Sequence, residues 1–113
     1  MPEPEIKQGE LYQLLRHGDI EEFNKRISEG AECDLACADL RGTDLRGMNA
    51  KGLDMSNAYF RQADLRGINF SETNLKGASI SGAKISGTLF PDEIRAEEIL
   101  LSLQHGTRLR YNA

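Results

Sequence analysis

A strict five-residue periodicity constrains the fold of this chain more than any other feature of its sequence. Every fifth residue from position 35 to position 90 is apolar, which gives twelve central residues without an exception. They are Leu35, Leu40, Leu45, Ala50, Met55, Phe60, Leu65, Phe70, Leu75, Ile80, Ile85 and Phe90. A second uncharged and mostly small residue stands two positions before each of them. These two sets are the candidates for the structural core.

A period of five fits neither an α-helix, in which apolar residues recur near every 3.6 positions, nor a β-strand, in which they alternate. The chain must therefore turn once in every pentad. Glycine follows seven of the central residues by two positions, where a turn needs backbone freedom. We expect the remaining corners to cost more free energy or to use another type of turn. Those corners carry Cys37, Asn57, Gln62, Glu72 and Asp92.

Two pentads carry a recognisable motif. Residues 38–42 and 63–67 both read Ala-Asp-Leu-Arg-Gly, and they resemble the A-[DN]-L-x-x repeat of the pentapeptide-repeat family. The resemblance extends over residues 33–92 and implies an all-β solenoid, a right-handed quadrilateral β-helix of about three coils with four pentads in each. The central residue and the small residue before it would point inward, and the other three residues of each pentad would point outward.

In such a coil, residues twenty positions apart stack on one another. The column of Ala50, Phe70 and Phe90 contains the smallest central residue, but Met48 in the same pentad has the volume to fill the missing space. Leu53 is large for its position two residues before a centre. Whether the solenoid is regular around Met48, Ala50 and Leu53 is open at this point.

Both flanks of the repeat have helical patterns, and we expect them to cap the two ends of the solenoid. Residues 1–32 form a helical hairpin in this interpretation, with one helix over residues 10–18 and a second over residues 19–30. Residues 33–92 form the repeat region. The caps and the repeat together make one domain.

Residues 93–113 hold the third expected helix and a tail. Pro91 and Asp92 open the helix, and Gly106 ends it. Residues 107–111 alternate polar and apolar side chains, which is typical of an edge strand or of a segment that folds back. The helical residues expected to lie on the last coil are Ile94, Ile99, Leu100 and Leu103.

The sequence shows no residue pattern typical of catalysis or of metal binding. His17 and His105 each precede a glycine at a predicted helix end, where a cation interacts favourably with the helix dipole. Cys33 and Cys37 are too few for a secreted disulfide framework, and no nearby histidine completes a zinc site. We therefore expect no catalytic, metal-binding or cofactor-binding residues, reduced structural thiols, and a protein that is not an enzyme.

Charge is unevenly distributed along the chain. Residues 1–32 carry four Lys or Arg against eight Asp or Glu, whereas residues 33–91 carry seven against six, a net charge of +1. No apolar run approaches the roughly 18 residues of a membrane span, and the Met1 end lacks the apolar segment of a secretion signal. We expect a cytoplasmic protein without a membrane partner.

The outward positions hold the candidate interaction surface. Twenty-residue stacking places Arg41 on Arg61 and Arg46 on Arg66, and Tyr59 between them is expected to be an exposed contact residue. Aspartates stand two positions before three of these arginines. The alternative interpretation is a solvated ladder of opposite charges in which each pair contributes about 0 to 1 kcal/mol.

These features favour a noncatalytic scaffold that binds an unidentified protein partner, as a monomer or a homodimer. The resemblance also suggests a DNA-mimicking modulator of a type II topoisomerase such as DNA gyrase. That alternative is less favoured, because mimicry needs a long and strongly negative rod. Weak nucleic-acid binding through the stacked arginines is a third hypothesis, against which the acidic isoelectric point of about 5.2 argues.

Overall fold

A computed structural model describes residue 4 and residues 9–112. It contains helices α1 (Glu10–Arg16), α2 (Ile20–Ser28) and α3 (Ala96–His105). Across this described part of the chain, no helix has the length and apolar character needed to cross a lipid bilayer. Between α2 and α3 the backbone turns at regular five-residue intervals.

Residues twenty positions apart lie side by side in parallel, so the repeat winds in coils of twenty residues. Six parallel bridges join neighbouring coils. They are Asp39 with Tyr59, Asp44 with Asp64, Asp54 with Asn74, Tyr59 with Ser79, Asp64 with Lys84, and Asn69 with Leu89. We name the coils first (33–52), second (53–72) and third (73–92), and number the four pentads of each coil as faces one to four in chain order.

The expectation of an all-β fold is met only in part. Within residues 9–112 the bridges are isolated, and no run of paired residues long enough to count as a strand is present. The reason is the pentad itself, because a turn interrupts the extended backbone before a second pair of bridging residues can form. The repeat is therefore stacked turns joined by single bridges, with all regular secondary structure in the helical flanks.

An outward aspartate or asparagine stabilises most of the turns. Its Oδ1 accepts the backbone N–H two residues later, as in Asp39 with the Arg41 N–H at 3.2 Å and Asn74 with the Lys76 N–H at 3.0 Å. This Asx turn offers the backbone a partner that the short face cannot supply. The residues that make it are Asp34, Asp39, Asp44, Asn49, Asp54, Asp64, Asn69 and Asn74.

The corners without glycine use both of the expected solutions. Cys37, Asn57 and Gln62 adopt left-handed backbone conformations with φ of 62°, 58° and 58°. Glu72 and Asp92 have no positive φ, so their turns are of another type. A left-handed backbone is unfavourable for a residue with a Cβ atom, by about 1 to 2 kcal/mol. The first three corners therefore carry backbone strain.

Replacing Gln62 with glycine should raise the free energy of unfolding by about 1 kcal/mol, because glycine adopts the left-handed corner without strain. Glu72→Gly is the matched control, since its corner does not need glycine and the added chain entropy should lower stability by about 0.5 to 1 kcal/mol. Urea denaturation followed by circular dichroism measures both changes. Equal stabilisation by the two substitutions would contradict the assignment of two corner types.

The predicted core is buried as expected in the first two coils and on half of the third. Ten of the twelve central residues, from Leu35 to Ile80, are at most 1% exposed. Ile85 and Phe90 are only half-buried, although they belong to the same series. Phe60, Phe70 and Phe90 form tilted aromatic contacts with ring centroids 6.1 and 6.4 Å apart. The core thus runs the length of the solenoid and becomes accessible at its last two faces.

The junction between the first and second coils is irregular where the sequence left the packing open. Bridges join the second and third coils on all four faces, but they join the first and second coils only on faces two and three. On face four, the Gly52 N–H pairs with Glu72, twenty positions later, whereas the Gly42 N–H pairs with Arg61, nineteen positions later. A cavity of about 170 Å³ opens there between Ala50 and Asn69. Met48 packs in the core, but the first and second coils still have no backbone bridge on face four.

The backbone N–H groups of Ala50 and Asn69 make no hydrogen bond within the described residues. We expect these two amides to exchange with deuterium at least about tenfold faster than the paired amides of Leu45 and Asp64 on the adjacent face. Amide exchange resolved by NMR measures the four rates together. Equal protection of all four amides would show that the face-four ladder closes in solution.

The N-terminal hairpin closes the first coil with side chains. Its helices begin and end within two residues of the predicted bounds, and the Asp19 side chain caps α2 by accepting the Glu22 N–H at 3.4 Å. Tyr12 Oη donates to the Asp39 carbonyl oxygen at 2.7 Å. Burial raises the pKa of Tyr12, which keeps this hydroxyl protonated as a donor.

Asn24 of α2 extends this closure to another part of the first coil. Its side-chain nitrogen donates to the Gly47 carbonyl oxygen at 2.9 Å, and its Oδ1 accepts the Asn49 N–H at 2.8 Å. The carboxamide thus replaces the peptide group that a further coil would have offered. Polar groups at the exposed end of a ladder need such partners.

The C-terminal cap differs from the prediction in its start and in its inner surface. α3 begins at Ala96, several residues after Asp92, because the chain first makes a turn that buries Ile94. Leu100 was expected on the last coil but is 54% exposed, so that prediction is wrong. Ser102 is fully buried instead and accepts the Ile80 N–H on Oγ at 3.0 Å. Rotating the helix toward this hydrogen bond turns Leu100 outward.

The tail folds back over the third coil, which was one of the two possibilities that the sequence left open. Leu109 is buried, and its N–H donates to the Ala78 carbonyl oxygen at 2.8 Å. Its own carbonyl oxygen accepts the Gly77 N–H at 2.8 Å. Glu98 of α3 holds the tail through Arg110, with Oε2 2.6 Å from Nη2, and this pairing lowers the pKa of Glu98.

Candidate interaction surface

The five residues of the candidate surface lie on faces two and three. Arg41 and Arg61 follow the centres of face two in successive coils, and Arg46 and Arg66 do the same on face three. The Asp39–Tyr59 and Asp44–Asp64 bridges fix this stacking. All four arginines are exposed. The structure thus brings the predicted residues onto two adjacent faces.

Three of the four arginines are paired with the aspartate two positions before them. Arg41 donates from Nε and Nη2 to the two carboxylate oxygens of Asp39, at 2.8 Å for both contacts. Arg66 makes the same bidentate contact with Asp64 at 2.9 and 2.7 Å. Arg46 makes a bidentate contact of the same kind with Asp44. Bidentate geometry satisfies much of each guanidinium, which leaves it less available to a ligand.

One ion pair links two coils. Arg46 Nε lies 3.4 Å from Asp64 Oδ2, so Asp64 is shared by Arg66 of its own coil and Arg46 of the preceding coil. Its side chain is 12% exposed, against 54% for the side chain of Asp44. The hydrogen bonds from Arg66 lower the pKa of Asp64 to about 2, and the charge of Arg46 acts in the same direction. Asp64 is the most strongly held carboxylate on these faces.

Arg61 differs from the other three arginines because Tyr59 occupies the position of the aspartate. The Arg61 guanidinium makes no hydrogen bond or ion pair with any described residue. It lies next to Arg41 in its column, which is already neutralised by Asp39. Face two therefore presents one uncommitted cation beside a neutral charge ladder.

Tyr59 is half-buried, which differs from the exposed contact residue that the sequence predicted. Its hydroxyl is hydrogen-bonded to Nη2 of Arg108, whose guanidinium carbon also lies 5.1 Å from the centroid of the Tyr59 ring. Arg108 Nη1 donates in addition to the Gly77 carbonyl oxygen at 2.7 Å. Tyr59 thus anchors the C-terminal tail. Nothing in the local sequence of either residue signals a contact across 49 positions.

The two cysteines lie apart from this surface and are free thiols. Burial, with the negative charge of Asp34 acting in the same direction, raises the pKa of Cys33. This thiol therefore stays protonated at neutral pH and is a poor nucleophile. Cys33 lines a cleft of about 490 Å³ between α1 and the first coil. Within the described residues, no group of three His, Cys, Asp or Glu side chains is placed to hold a metal ion.

A comparison with known families agrees with the five-residue periodicity. The family profile described as Pentapeptide repeats matches residues 54–90 in eight copies. The chain therefore contains pentapeptide repeats over these residues. The match covers the second coil and most of the third, while the bridges of Asp39 and Asp44 show that the same register extends into the first coil. No curated protein and no solved structure matches the chain.

Asp64→Asn should destabilise the protein at neutral pH more than Asp54→Asn does. Asparagine keeps the Asx turn at both positions, but only Asp64 has arginine partners among the described residues. The folded-state pKa of Asp64 is about 2, below the ordinary value near 3.9, so its carboxylate stabilises the fold above about pH 4. This contribution is lost as the pH falls from about 4 to about 2.

The measurement is urea denaturation of the wild type and both variants from pH 2 to pH 7. The difference between the wild type and Asp64→Asn should shrink toward zero at the acid end of this range. A difference that stays constant with pH would show that the charge of Asp64 does not stabilise the fold.

Proposed function

We propose that this protein is a noncatalytic scaffold that binds a protein partner through faces two and three, with Arg61 as the central contact. The uncommitted guanidinium of Arg61 is the observation that carries the proposal. An exposed arginine is well suited to a carboxylate of a partner, because its fork of donors matches carboxylate geometry. The pentapeptide-repeat family supports an interaction or scaffold role in general.

The shape of the repeat suits such a role. We infer that the twenty-residue coils form the right-handed quadrilateral β-helix that the family implies, with faces two and three as two flat and adjacent surfaces. The neutral Asp–Arg ladders around Arg61 would form a polar rim, which contributes little affinity itself but excludes water from the central contact. The partner surface should then carry an Asp or Glu facing Arg61.

The same ladders favour a protein partner over nucleic acid. A phosphate backbone would have to compete with Asp39, Asp44 and Asp64 for the arginines beside them. A mimic of DNA would need rows of uncompensated carboxylates, whereas these three carboxylates are paired. The paired charges therefore support neither nucleic-acid binding nor modulation of DNA gyrase by mimicry.

The test is affinity capture with the tagged full chain, identification of the retained protein by mass spectrometry, and titration of the purified partner. Arg61→Glu should weaken binding at least tenfold, which corresponds to about 1.4 kcal/mol or more, because it places two carboxylates opposite each other. Lys76→Glu on face one of the third coil is the matched control, since it makes the same change of charge at an exposed position outside the proposed surface. It should leave the affinity within about twofold of the wild type.

Equal affinity of the wild type and both variants would place the partner elsewhere on the molecule. Equal weakening by both variants would indicate general electrostatic attraction without a defined contact. Retention of nucleic acid that declines with salt would favour the nucleic-acid hypothesis.

A further inference from the structure

The C-terminal cap satisfies the backbone of the third coil on only two of its four faces. On face one, the Leu75 N–H donates to Tyr111 Oη at 2.9 Å, and the tail pairs with the neighbouring corner through Leu109. On face two, Ser102 and Leu103 accept the N–H groups of residues 80 and 82, at 3.0 Å in both cases. These two faces are closed.

Faces three and four have no such closure. The N–H groups of Ile85, Gly87 and Phe90 and the carbonyl oxygens of Ala83 and Thr88 make no hydrogen bond with any described residue. These groups form one edge that carries both donors and acceptors. An exposed edge of this kind is a template for pairing with another segment of backbone.

The second coil shows how these positions are used when a neighbour is present. The N–H groups of Leu65, Gly67 and Phe70 donate to the third coil at 2.9, 3.0 and 2.8 Å. The carbonyl oxygens of Ala63 and Ile68 accept from the third coil at 3.0 and 2.9 Å. All five positions are therefore paired one coil earlier, and the third coil lacks only the segment that would pair with it.

The side chains on the open faces are also incompletely covered. Ile85 and Phe90 are half-buried, whereas Leu65 and Phe70 one coil earlier are 1% and 0% exposed. Leu89, on the outer side of face four, is 56% exposed and is the most exposed large apolar side chain of the described residues. An unpaired backbone edge and uncovered apolar side chains thus coincide.

The tail of this chain shows what kind of segment fits such an edge. Leu109 pairs through its N–H and its carbonyl oxygen at the corner of Gly77 and Ala78, and its side chain is 1% exposed. The contacts from residues 103 to 111 follow the third coil backward from residue 82 to residue 73, so the tail runs opposite to the coil. The tail therefore docks through main-chain pairing and one buried apolar side chain, with polar contacts from Arg108 and Arg110.

We propose that the open edge of faces three and four binds a peptide segment of a partner protein, which bends beside the Gly87 corner as the coil does and inserts one apolar side chain over Ile85 and Phe90. The segment would span about eight residues, matching the stretch from residue 83 to residue 90. Main-chain hydrogen bonds would supply much of the affinity, and the apolar side chain would supply selectivity. The inference rests on the proposed scaffold role but uses a different surface from Arg61.

The C-terminal cap covers the edge of only two of the four faces, and this uneven end of the solenoid favours a peptide over a second copy of the chain. α3 and the tail are hydrogen-bonded to the edge of faces one and two, while the unpaired groups of faces three and four make no hydrogen bond with any described residue. A flat coil of another molecule would meet the cap before it reached the open faces. A single peptide segment that bends with the coil can lie beside the cap at the same level.

The test uses the ¹⁵N-labelled full chain and a synthetic, end-blocked peptide with the sequence of residues 107–112, Thr-Arg-Leu-Arg-Tyr-Asn. Saturating peptide should slow amide exchange of Ile85, Gly87 and Phe90 about tenfold and leave the already paired Gly82 amide unchanged. The same peptide carrying an N-methyl group on its leucine is the control, because it lacks the donor that Leu109 uses. It should bind at least tenfold more weakly.

Substitutions at exposed positions of the protein locate the site without altering the core. Leu89→Asp should weaken peptide binding at least fivefold, since it places a charge on the outer side of face four. Leu101→Asp is the matched control on α3, where the leucine is 40% exposed, and it should leave binding unchanged. Arg61→Glu should also have no effect, so a failure of the proposed partner surface can be told apart from a failure of this site.

Three results would overturn the proposal. The first is absence of any saturable change with the unmodified peptide. The second is a set of changes confined to residues 77, 78 and 109, which would mean that the peptide only displaces the tail. The third is protection of Ile85 and Gly87 that rises with protein concentration in the absence of peptide, which would assign the edge to a second copy of the chain.

Discussion

A turn in every pentad is the constraint on which the rest of this structure depends. The outward Asp or Asn of the pentad accepts a backbone N–H across the turn, and the corner residue takes up the left-handed conformation at most positions. Four such turns return the chain to its starting direction after twenty residues, and the parallel bridges follow from that return. The core follows as well, because each pentad directs two of its residues inward.

Features written into each pentad could be predicted from the sequence. The inward positions and the two kinds of corner need only local information, and twelve copies of the pattern reinforce it. The coil length was implied by the resemblance to the pentapeptide-repeat family. The helical hairpin was also predictable, since Asp19 and Gly30 mark its second helix in the sequence. The prediction of the pentapeptide-repeat family is confirmed by the match over residues 54–90.

Features that depend on contacts between distant segments could not be predicted. The pairing of Tyr59 with Arg108 and the contact of Asn24 with the first coil join single residues, so no periodic signal marks them. The start of α3 was misplaced because burial of Ile94 in a turn competes with helix formation. Leu100 was misassigned because a hydrogen bond to Ser102, rather than apolar spacing, sets the rotation of that helix.

The surface follows from the same local chemistry as the fold. One aspartate in a pentad both closes the turn and neutralises the arginine two positions later, as Asp39 does for Arg41. Replacing that aspartate with a residue that has neither a carboxylate nor a carboxamide removes both effects together. Tyr59 is such a replacement, and it leaves Arg61 uncommitted while giving the tail an anchor. A single departure from the repeat thus affects a surface charge and a cap.

The weaker junction between the first and second coils determines where the molecule begins to unfold. In a solenoid each coil contacts only its neighbours, so stability is a sum of local terms and interfaces, and unfolding starts where an interface is poorest. Two of the four faces lack a bridge at this junction, whereas the next junction has all four. The hairpin and first coil therefore form a partly independent cooperative unit that can open while the remaining coils and the C-terminal cap stay folded. A protease acting on the native protein would then release an N-terminal fragment before it degraded the rest.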